Sequence, residues 1–152
     1  MEGTMPLSKK QCTQLNQAVF SMANAYRSRM AREGTVEASG LTLPDRSTLM
    51  VLGQFEPVTA RDLSKRMDIN PGTISVYVQR LVERGLVEKR QDEADRRTWW
   101  LSLTEDGKAA YRETIDGAAA YTRAFLDPLT DEERRTLHRL MLKVAEGLGY
   151  AW

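Results

Sequence analysis

The chain has 152 residues and a hydrophobic content of 41%, which suits a single domain with a hydrophobic core and excludes an intrinsically disordered protein. The formal net charge of +1 implies no strong overall attraction to nucleic acid, so any nucleic-acid binding must depend on local clusters of charge. There is no run of about 18 apolar residues, no apolar centre of a secretory signal and only one cysteine, Cys12, so we expect a cytoplasmic protein with no membrane partner.

Helix starts are marked at four points by a hydroxyl side chain that stands three residues before a side chain able to return a hydrogen bond. This is the spacing of the capping box or of its Asp variant. The four pairs are Ser8 with Gln11, Thr42 with Asp45, Thr59 with Asp62, and Thr130 with Glu133. A helix is therefore predicted to begin at each of them.

The first predicted helix runs from Ser8 to about Arg32 and carries one apolar stripe. Its members are Leu15, Val19, Met22, Tyr26 and Met30. At 1.5 Å per residue the helix is roughly 37 Å long. A domain of this size has little core of its own with which to cover the stripe, so the stripe is expected to need a partner.

The centre of the chain predicts two short helices joined by a tight turn. The first extends from Thr59 to about Met67. The second begins after Asn70, a good N-cap, with Pro71 in its first turn, and it ends at Gly85, which accepts the left-handed conformation of a helix end. This arrangement is typical of a helix-turn-helix motif.

The outer face of the second short helix has an unusual composition. The inward face is formed by Ile74, Tyr77, Val78 and Leu81. The outward residues are Gly72, Thr73, Ser75, Val76, Gln79 and Arg80. Hydroxyls can bond base edges or phosphates, Gln can address adenine and a Val methyl can touch a thymine methyl, so this face can lie in a DNA major groove. The alternative is an ordinary solvated face, although such faces tend to be rich in Glu and Lys.

A two-stranded hairpin is predicted directly after the second short helix. The first strand, LVEKR, ends in Lys89 and Arg90, and the return strand reads TWWLSL. Alternation with period two places Trp99, Leu101 and Leu103 on one face. A hairpin in this position is a wing.

The tip of this hairpin reads QDEADRR, positions 91–97, and places acids beside arginines. Arg96 or Arg97 can enter a minor groove, where the negative potential is enhanced when the groove is narrow. Asp95 then serves as a local partner that orients an arginine, although acids near DNA otherwise weaken binding. The alternative is a charge-balanced solvated turn, and the preceding helix pair favours the wing.

Two further helices are predicted near the C-terminal end, one from Leu103 to Leu126 and one from Asp131 to about Gly147. The last helix repeats an apolar stripe, formed by Leu137, Leu140, Met141, Val144 and Leu148. Long amphipathic helices at both ends of the chain predict an intertwined homodimer in which the N- and C-terminal segments bury each other. The alternative is a monomeric helical bundle.

With these elements the chain resembles the multiple-antibiotic-resistance regulator (MarR) family of winged helix-turn-helix transcriptional regulators. The resemblance lies in SGLTLPDRSTLMVL, in TARDLSKRMDINPGTISVYVQRLVERGLVEKR and in DEADRRTWWLSLTEDGKAA, and it covers nearly the whole chain. It implies a single domain, 1–152, that is mainly α-helical with a small β-hairpin wing. Residues 42–103 are expected to form the DNA-binding lobe, and residues 8–33 and 104–150 the helical dimerization lobe.

The resemblance also implies a function. Family members bind a pseudo-palindromic operator in double-stranded DNA as homodimers, usually repress, and in many cases are released by small anionic or phenolic molecules bound between the two lobes. The residues expected to contact DNA are Gly72, Thr73, Ser75, Val76, Gln79, Arg80, Lys89, Arg90, Asp95, Arg96 and Arg97. The effector of this chain is left open.

Two adjacent tryptophans depart from the aliphatic residues typical of that strand. Trp100, on the outer face, either stacks on an arginine such as Arg90 or is covered by a neighbouring helix, and packing is the favoured interpretation. Val76 and Pro71 stand where other members often have basic or polar groups, which leaves the operator sequence open.

Two other functions of the chain remain as alternatives. Oxidant sensing through Cys12 is one, because similar relatives sense organic peroxides through a cysteine in this region, although only Lys9 and Lys10 offer nearby positive charge to lower its pKa. A metal site, a cofactor and catalysis are not expected, since His138 is the one histidine and no glycine-rich phosphate loop occurs. A winged-helix module that binds protein through the same faces is the remaining alternative.

Overall fold

The computed structural model describes residues 6–32 and 40–148, with the backbone alone for residues 29–32. The elements are α1 (Lys9–Arg32), α2 (Leu43–Phe55), β1 (Val58–Thr59), α3 (Ala60–Met67), α4 (Pro71–Glu83), β2 (Val87–Gln91), β3 (Trp99–Leu103), α5 (Glu105–Phe125) and α6 (Asp131–Gly147). The chain divides into two compact units between Leu43 and Pro44. Of the predicted features, the Met30 side chain and residues 33 and 149–150 lie outside the described part.

Helix α1 begins as predicted, with a reciprocal cap at Ser8. The Ser8 N–H donates to Gln11 Oε1 at 2.9 Å, and the Gln11 N–H donates to Ser8 Oγ at 3.3 Å. The predicted apolar stripe is open to solvent, with Leu15 57% and Val19 53% exposed. Tyr26 is half-buried, and the rest of the described stripe is uncovered.

The core of the second unit is built from α2, α3, α4 and the sheet. Its fully buried side chains include Leu49, Leu52, Leu63, Ile74, Leu81 and Leu101. The predicted inward face of α4 is confirmed, since Ile74, Val78 and Leu81 are buried and Tyr77 is half-buried. Full burial of one such aliphatic side chain contributes about 1.5–3 kcal/mol, and this burial fixes which side of α4 remains outside.

The predicted hairpin wing is confirmed, and the sheet has a third strand that the sequence did not predict. Strands β2 and β3 pair antiparallel, with Val87 opposite Leu103, as expected for the wing. Strand β1 adds to the other side of β3 and places Val58 opposite Leu101. Because β1 has only two residues, it leaves no alternation that a sequence pattern could reveal.

Local hydrogen bonds set the starts of α3 and α4. The Asp62 N–H donates to Thr59 Oγ1 at 3.2 Å, and the Thr59 hydroxyl donates to Asp62 Oδ2 at 2.7 Å, so the predicted capping box is confirmed. The hydrogen bond from this hydroxyl is the main cause that holds the pKa of Asp62 below its ordinary value. Helix α4 follows Asn70, whose Oδ1 accepts the Thr73 N–H at 2.9 Å, with Pro71 in the first turn.

One junction joins the end of α4, the start of β2 and the start of α5. Gly85 has a φ of +70°, a conformation in which any side chain is strained. Thr104, the N-cap of α5, donates its hydroxyl to Gly85 O at 2.6 Å and its N–H to Leu86 O at 3.1 Å. A Cβ atom placed on Gly107 would lie 1.9 Å from Leu86 O. The first turn of α5 is therefore in direct contact with the segment that ends α4.

The last helix has the predicted bounds, whereas α5 begins at Glu105 and not at the predicted Leu103, because Leu103 pairs with Val87 in the sheet. Thr104 caps α5, and α6 opens with the predicted capping box, in which the main chain and hydroxyl of Thr130 hold the pKa of Glu133 below its ordinary value. No residue of α6, every one of which is described, is buried. This amphipathic helix of 17 residues therefore contributes no fully buried side chain to a hydrophobic core.

Candidate nucleic-acid interface

The outer face of α4 is defined by the side chains that the core takes in. Ile74, Val78 and Leu81 are at most 2% exposed, which turns the intervening positions outward. Of the six residues predicted to lie there, Thr73 and Arg80 are half-buried. The exposed four are Gly72, Ser75, Val76 and Gln79.

The exposed side chains at the start of α4 are small and partly apolar. Val76 is 54% exposed, and Gly72 has no side chain to hold a partner away. The Ser75 hydroxyl donates to Pro71 O at 2.8 Å, so its oxygen remains available as an acceptor. This surface permits close approach and offers a methyl contact beside a hydroxyl acceptor, which suits a helix in a major groove.

Gln79 lies at the centre of a polar chain that connects α4 to β2. Lys89 Nζ donates to Gln79 Oε1 at 3.1 Å, and Gln79 Nε2 donates to Glu83 Oε1 at 3.0 Å. A glutamine amide has two acceptor lone pairs and two donor hydrogens, so one of each remains for a further partner. The amide is therefore held in one orientation while it keeps the capacity for a bidentate contact.

Arg80 turns towards α2 and binds Asp45. Its Nε and Nη2 donate to Asp45 Oδ1 at 2.9 and 2.6 Å, and its Cζ lies 5.1 Å from the centroid of the Tyr77 ring. The Asp45 side chain is 1% exposed and that of Arg80 is 39% exposed. Arg80 is thus the residue of this face whose side chain is held by a buried ion pair.

The strength of this ion pair determines what Arg80 can do. Removing one partner of a buried pair costs about 3–5 kcal/mol, and the partial exposure of Arg80 places its pair toward the lower end of that range. A good bidentate contact with a base contributes about 1–3 kcal/mol of discrimination. A base contact by Arg80 would therefore have to offset the loss of its ion pair with the buried Asp45.

Two of the three acids at the tip of the wing, Asp92 and Asp95, are hydrogen-bonded locally. Asp92 Oδ1 accepts the N–H groups of Ala94 and Asp95 at 2.9 and 2.7 Å. Asp95 Oδ1 accepts the Arg97 N–H at 3.0 Å, and its Oδ2 accepts the Thr98 hydroxyl at 2.9 Å. Asp95 therefore orients Arg97 through the main chain.

Trp100 makes a contact that neither sequence-based alternative named. It is half-buried, and its Nε1 donates to Asp92 Oδ2 at 2.7 Å. This bond, followed by the N–H groups of Asp95 and Ala94, holds the pKa of Asp92 below its ordinary value of 3.8. The indole therefore fixes the carboxylate on which the turn is built.

The basic side chains of the wing remain at the surface. Lys89, Arg90, Arg96 and Arg97 are all exposed. The Arg96 carbonyl accepts Gln91 Nε2 at 2.6 Å, which adds a further bond across the turn. Because the Asp92 and Asp95 carboxylates are occupied by local donors, the tip combines a firmly held backbone with outward positive charge.

A groove of about 320 Å³ separates α4 from the wing. Its lining residues are Ala60, Ser75, Val78, Lys89, Trp99 and Leu101. The strand alternation places Trp99 on the buried face with Leu101 and Leu103, yet Trp99 is 48% exposed and the two leucines are 2% and 4% exposed. Trp99 stands opposite Gln91 at the end of the strand pair nearest the tip, where the groove is open to solvent.

The sequence gives no sign of the role of Asp45 at this surface, whereas it gives a local sign of the role of Asp92. Asp45 was missed because its partner is 35 residues away, and because its spacing from Thr42 already fits a helix cap. Asp92 left a local signal, since an Asp that precedes backbone N–H groups by two or three residues is typical of an Asx turn.

Candidates for other chemistry are isolated. Cys12 is exposed on α1, with its Sγ 3.8 Å from Leu7 O, and His138 is exposed on α6. Within residues 6–32 and 40–148, no three His, Cys, Asp or Glu side chains are grouped so that they could hold a metal ion. No helix of that same part of the chain is long and apolar enough to cross a membrane.

Comparison with known proteins gives the same fold. The sequence model of the MarR family matches residues 39–98. An uncharacterized HTH-type transcriptional regulator of Bacillus cereus is 31% identical over 105 residues, which are 68% of this chain and 69% of the relative.

Two solved structures extend the match over most of the chain. A MarR family protein from Bacillus stearothermophilus has a TM-score of 0.82 at 22% identity, over 95% of this chain and 100% of that chain. The crystal structure of Streptococcus pneumoniae FabT in complex with DNA has a TM-score of 0.73 at 22% identity, over 90% of this chain and 96% of that one. These likenesses confirm the predicted fold class, a mainly α-helical winged helix. From its sequence and its fold, the chain belongs to the MarR family of winged helix-turn-helix transcriptional regulators.

Proposed function

We propose that the protein represses transcription by binding a pseudo-palindromic operator in double-stranded DNA as a homodimer, and that a small molecule releases it. The observation that carries the proposal is the outer face of α4, which is small and free of exposed acids from Gly72 to Gln79. Beside it lies a wing tip in which Asp92 and Asp95 are hydrogen-bonded within the turn and the arginines are exposed. FabT, which shares the fold, is solved in complex with DNA, and this supports the same partner here.

The residues divide into two groups by their chemistry. Gly72, Thr73, Ser75, Val76 and Gln79 are assigned to the major groove, where methyl, hydroxyl and amide groups can distinguish base pairs. The basic side chains of the wing are assigned to phosphates and to the adjacent minor groove, with Asp95 as the residue that orients the tip. The basic group comprises Lys89, Arg90, Arg96 and Arg97.

A second copy of the chain is the proposed partner of the terminal helices. Helix α6 has no buried residue, and its apolar face is exposed at Leu140, Met141, Val144 and Leu148. Helix α1 exposes a comparable face at Leu15, Val19 and Phe20. Amphipathic helices without a core need such a partner, and a twofold dimer would set two α4 helices about one DNA turn, roughly 34 Å, apart.

A salt titration tests DNA binding directly. Fluorescently labelled duplexes, one enriched from a random-sequence library by the protein and one of random sequence, are titrated at 50 and 200 mM salt. If phosphates are contacted, affinity falls steeply with salt because counterions are released, and the enriched duplex binds more tightly than the random one at both concentrations. Failure to enrich any duplex, or binding that does not change with salt, would contradict the proposal.

Release by a ligand is proposed for a small anionic or phenolic molecule. The groove beside α4 supports this chemistry, because Lys89 offers a positive charge, Trp99 an exposed aromatic ring and Ser75 a hydroxyl. A compound that acts in this way should raise the melting temperature of the protein and lower its affinity for the enriched duplex together. A compound that stabilises the protein and leaves its DNA affinity unchanged would bind the protein without releasing it from DNA.

Two specific observations favour other functions. The exposed thiol of Cys12 is accessible to oxidants, and loss of DNA affinity after peroxide treatment, absent in Cys12→Ser, would identify oxidant-sensing repression. The near-neutral net charge and the exposed Val76 and Trp99 suit a surface that binds protein instead. The salt titration decides between DNA and protein, since the protein-binding alternative has no duplex to enrich.

A further inference from the structure

The side chain of Arg80 takes a direction that its position in the sequence does not predict. The helical pattern places Arg80 on the outer face of α4, in line with Val76 one turn earlier. Its guanidinium nevertheless donates through both Nε and Nη2 to a single oxygen of Asp45 on α2. The Tyr77 ring, 5.1 Å from Cζ, supports the same direction from within α4.

Asp45 is placed so that it holds Arg80 without acting on DNA itself. Its side chain is 1% exposed, so its negative charge is not presented to a partner that approaches α4. The guanidinium, 39% exposed, keeps part of its surface in solvent beside the outer face. The pair thus brings an arginine to the edge of the recognition helix and keeps it from extending forward.

We infer that Asp45 is a specificity-determining residue that withholds Arg80 from the base edges, and that Arg80 is a positioning residue for α4 and not a reader of bases. The inference rests on the proposed DNA-binding function. An extended arginine in the major groove selects guanine through O6 and N7. With Arg80 held by Asp45, recognition falls to the hydroxyl, methyl and amide groups ahead of it on α4, and the operator carries no guanine preference that depends on Arg80.

Three variants and one control test this inference. Asp45→Asn removes the charge that holds Arg80, and the double variant Asp45→Asn/Arg80→Gln removes the guanidinium as well. Asp127→Asn is the matched control, because Asp127 pairs with Arg134 at the turn before α6 and its substitution changes the net charge by the same amount. Arg80→Gln alone leaves Asp45 charged and is expected to have the lowest melting temperature of the set.

The first measurement is the slope of log affinity against log salt for the random-sequence duplex. The released Arg80 should add about one phosphate contact in Asp45→Asn, so the slope becomes steeper by about 0.9, equivalent to about threefold more loss of affinity between 50 and 200 mM salt. The control and the double variant should keep the wild-type slope. An Asp45→Asn slope equal to that of wild type would overturn the inference.

The second measurement is the base preference obtained by enrichment from the random library. The double variant should enrich the same sequence as wild type. Loss of a guanine preference in the double variant would overturn the inference, because it would identify Arg80 as a reader. If wild type enriches no sequence at all, the proposed function fails, and this outcome is distinct from either failure of the inference.

A measurement on the wild-type protein removes the dependence on variants that fold. The Arg80 Nε–H resonance, assigned by its loss in the double variant or by backbone-linked experiments, should keep its chemical shift and slow exchange when the enriched duplex is added. A change of that resonance on saturation with DNA would show that Arg80 leaves Asp45, and would overturn the inference.

Discussion

At the scale of single residues, the acids of segment 91–97 explain how so much negative charge can stand beside exposed arginines. Asp92 and Asp95 accept hydrogen bonds from the turn that contains them, and Trp100 adds a donor from β3. Each bond satisfies a carboxylate oxygen within the hairpin itself. The charge in this loop therefore builds its backbone, and the arginines provide its outward electrostatics.

The pKa of Asp92 gives a prediction about pH. Because this pKa is lowered in the folded protein, the Asp92 carboxylate stabilises the tip above its ordinary value of 3.8, and the contribution is lost as pH falls through the lower folded value. The Trp100 indole N–H resonance should therefore titrate with a midpoint below pH 3.8. Asp92→Asn should abolish the titration, and a midpoint at or above 3.8 in the wild-type protein would contradict the assignment.

Arg97→Ala should weaken binding to the enriched and random duplexes by the same factor. Its side chain is exposed and its N–H is fixed by Asp95. Arg97 is therefore assigned to the DNA phosphates or the minor groove, and not to one base pair. The salt slope should become shallower by about 1. Arg135→Ala, the same change at an exposed position on α6, is the control. A loss confined to the enriched duplex would show that Arg97 reads sequence.

Gln79→Ala, in contrast to Arg97→Ala, should weaken binding only to particular DNA sequences. Lys89 and Glu83 hold the amide in one orientation with one lone pair and one N–H unused. Its removal is expected to cost about 1–3 kcal/mol at selected base pairs and nothing elsewhere. Competition with single-base-pair variants of the enriched duplex measures this. Equal losses on every competitor would argue against a reading role.

At the scale of the elements, the sequence predicts what is local and misses what is distant. The starts of α1, α3, α4 and α6 were predictable because each cap joins residues three apart. The pairing of Asp45 with Arg80 and the bond from Leu103 N–H to Glu56 Oε2 join residues 35 and 47 apart. No periodicity records such pairs, and for the same reason the two-residue β1 could not be foreseen.

Two glycines of α5 should respond in opposite ways to alanine. At Gly107 the added Cβ would lie 1.9 Å from Leu86 O, a backbone atom that cannot move without disturbing β2. Gly107→Ala should therefore destabilise the protein by about 1–3 kcal/mol or more. At Gly117 nothing lies within 4 Å, so Gly117→Ala should stabilise the helix by about 0.5–1 kcal/mol. Urea unfolding at one protein concentration measures both, and similar effects at the two sites would refute the close approach.

At the scale of the whole molecule, the terminal helices have an excess of apolar surface over what one chain covers. Leu140, Val144 and Leu148 on α6 are 47%, 60% and 71% exposed, and α1 carries its own exposed stripe. Such faces mark interaction surfaces in soluble proteins. The length of α1 and its apolar stripe already predict a partner for this helix. That the partner is a second copy of the chain depends on the family resemblance.

The double variant Leu140→Gln/Val144→Gln should dissociate the proposed homodimer. Light scattering should give the mass of one chain in place of two, and the enriched duplex should lose most of its affinity, because each half-site is then bound separately. Arg139→Gln/Lys143→Gln alters the neighbouring positions of the same turns and is the matched control. A dimer that survives the apolar substitutions would place the interface elsewhere.

Two glycines make the backbone rigid at the junction formed by Gly85, Leu86, Thr104 and Gly107. One glycine is locked at positive φ, and the other has no room for even a methyl group. With the hydroxyl and N–H of Thr104 bonded on either side, the first turn of α5 cannot tilt without displacing the last turn of α4. We therefore expect a displacement that reaches the start of α5 to move α4 as a rigid body.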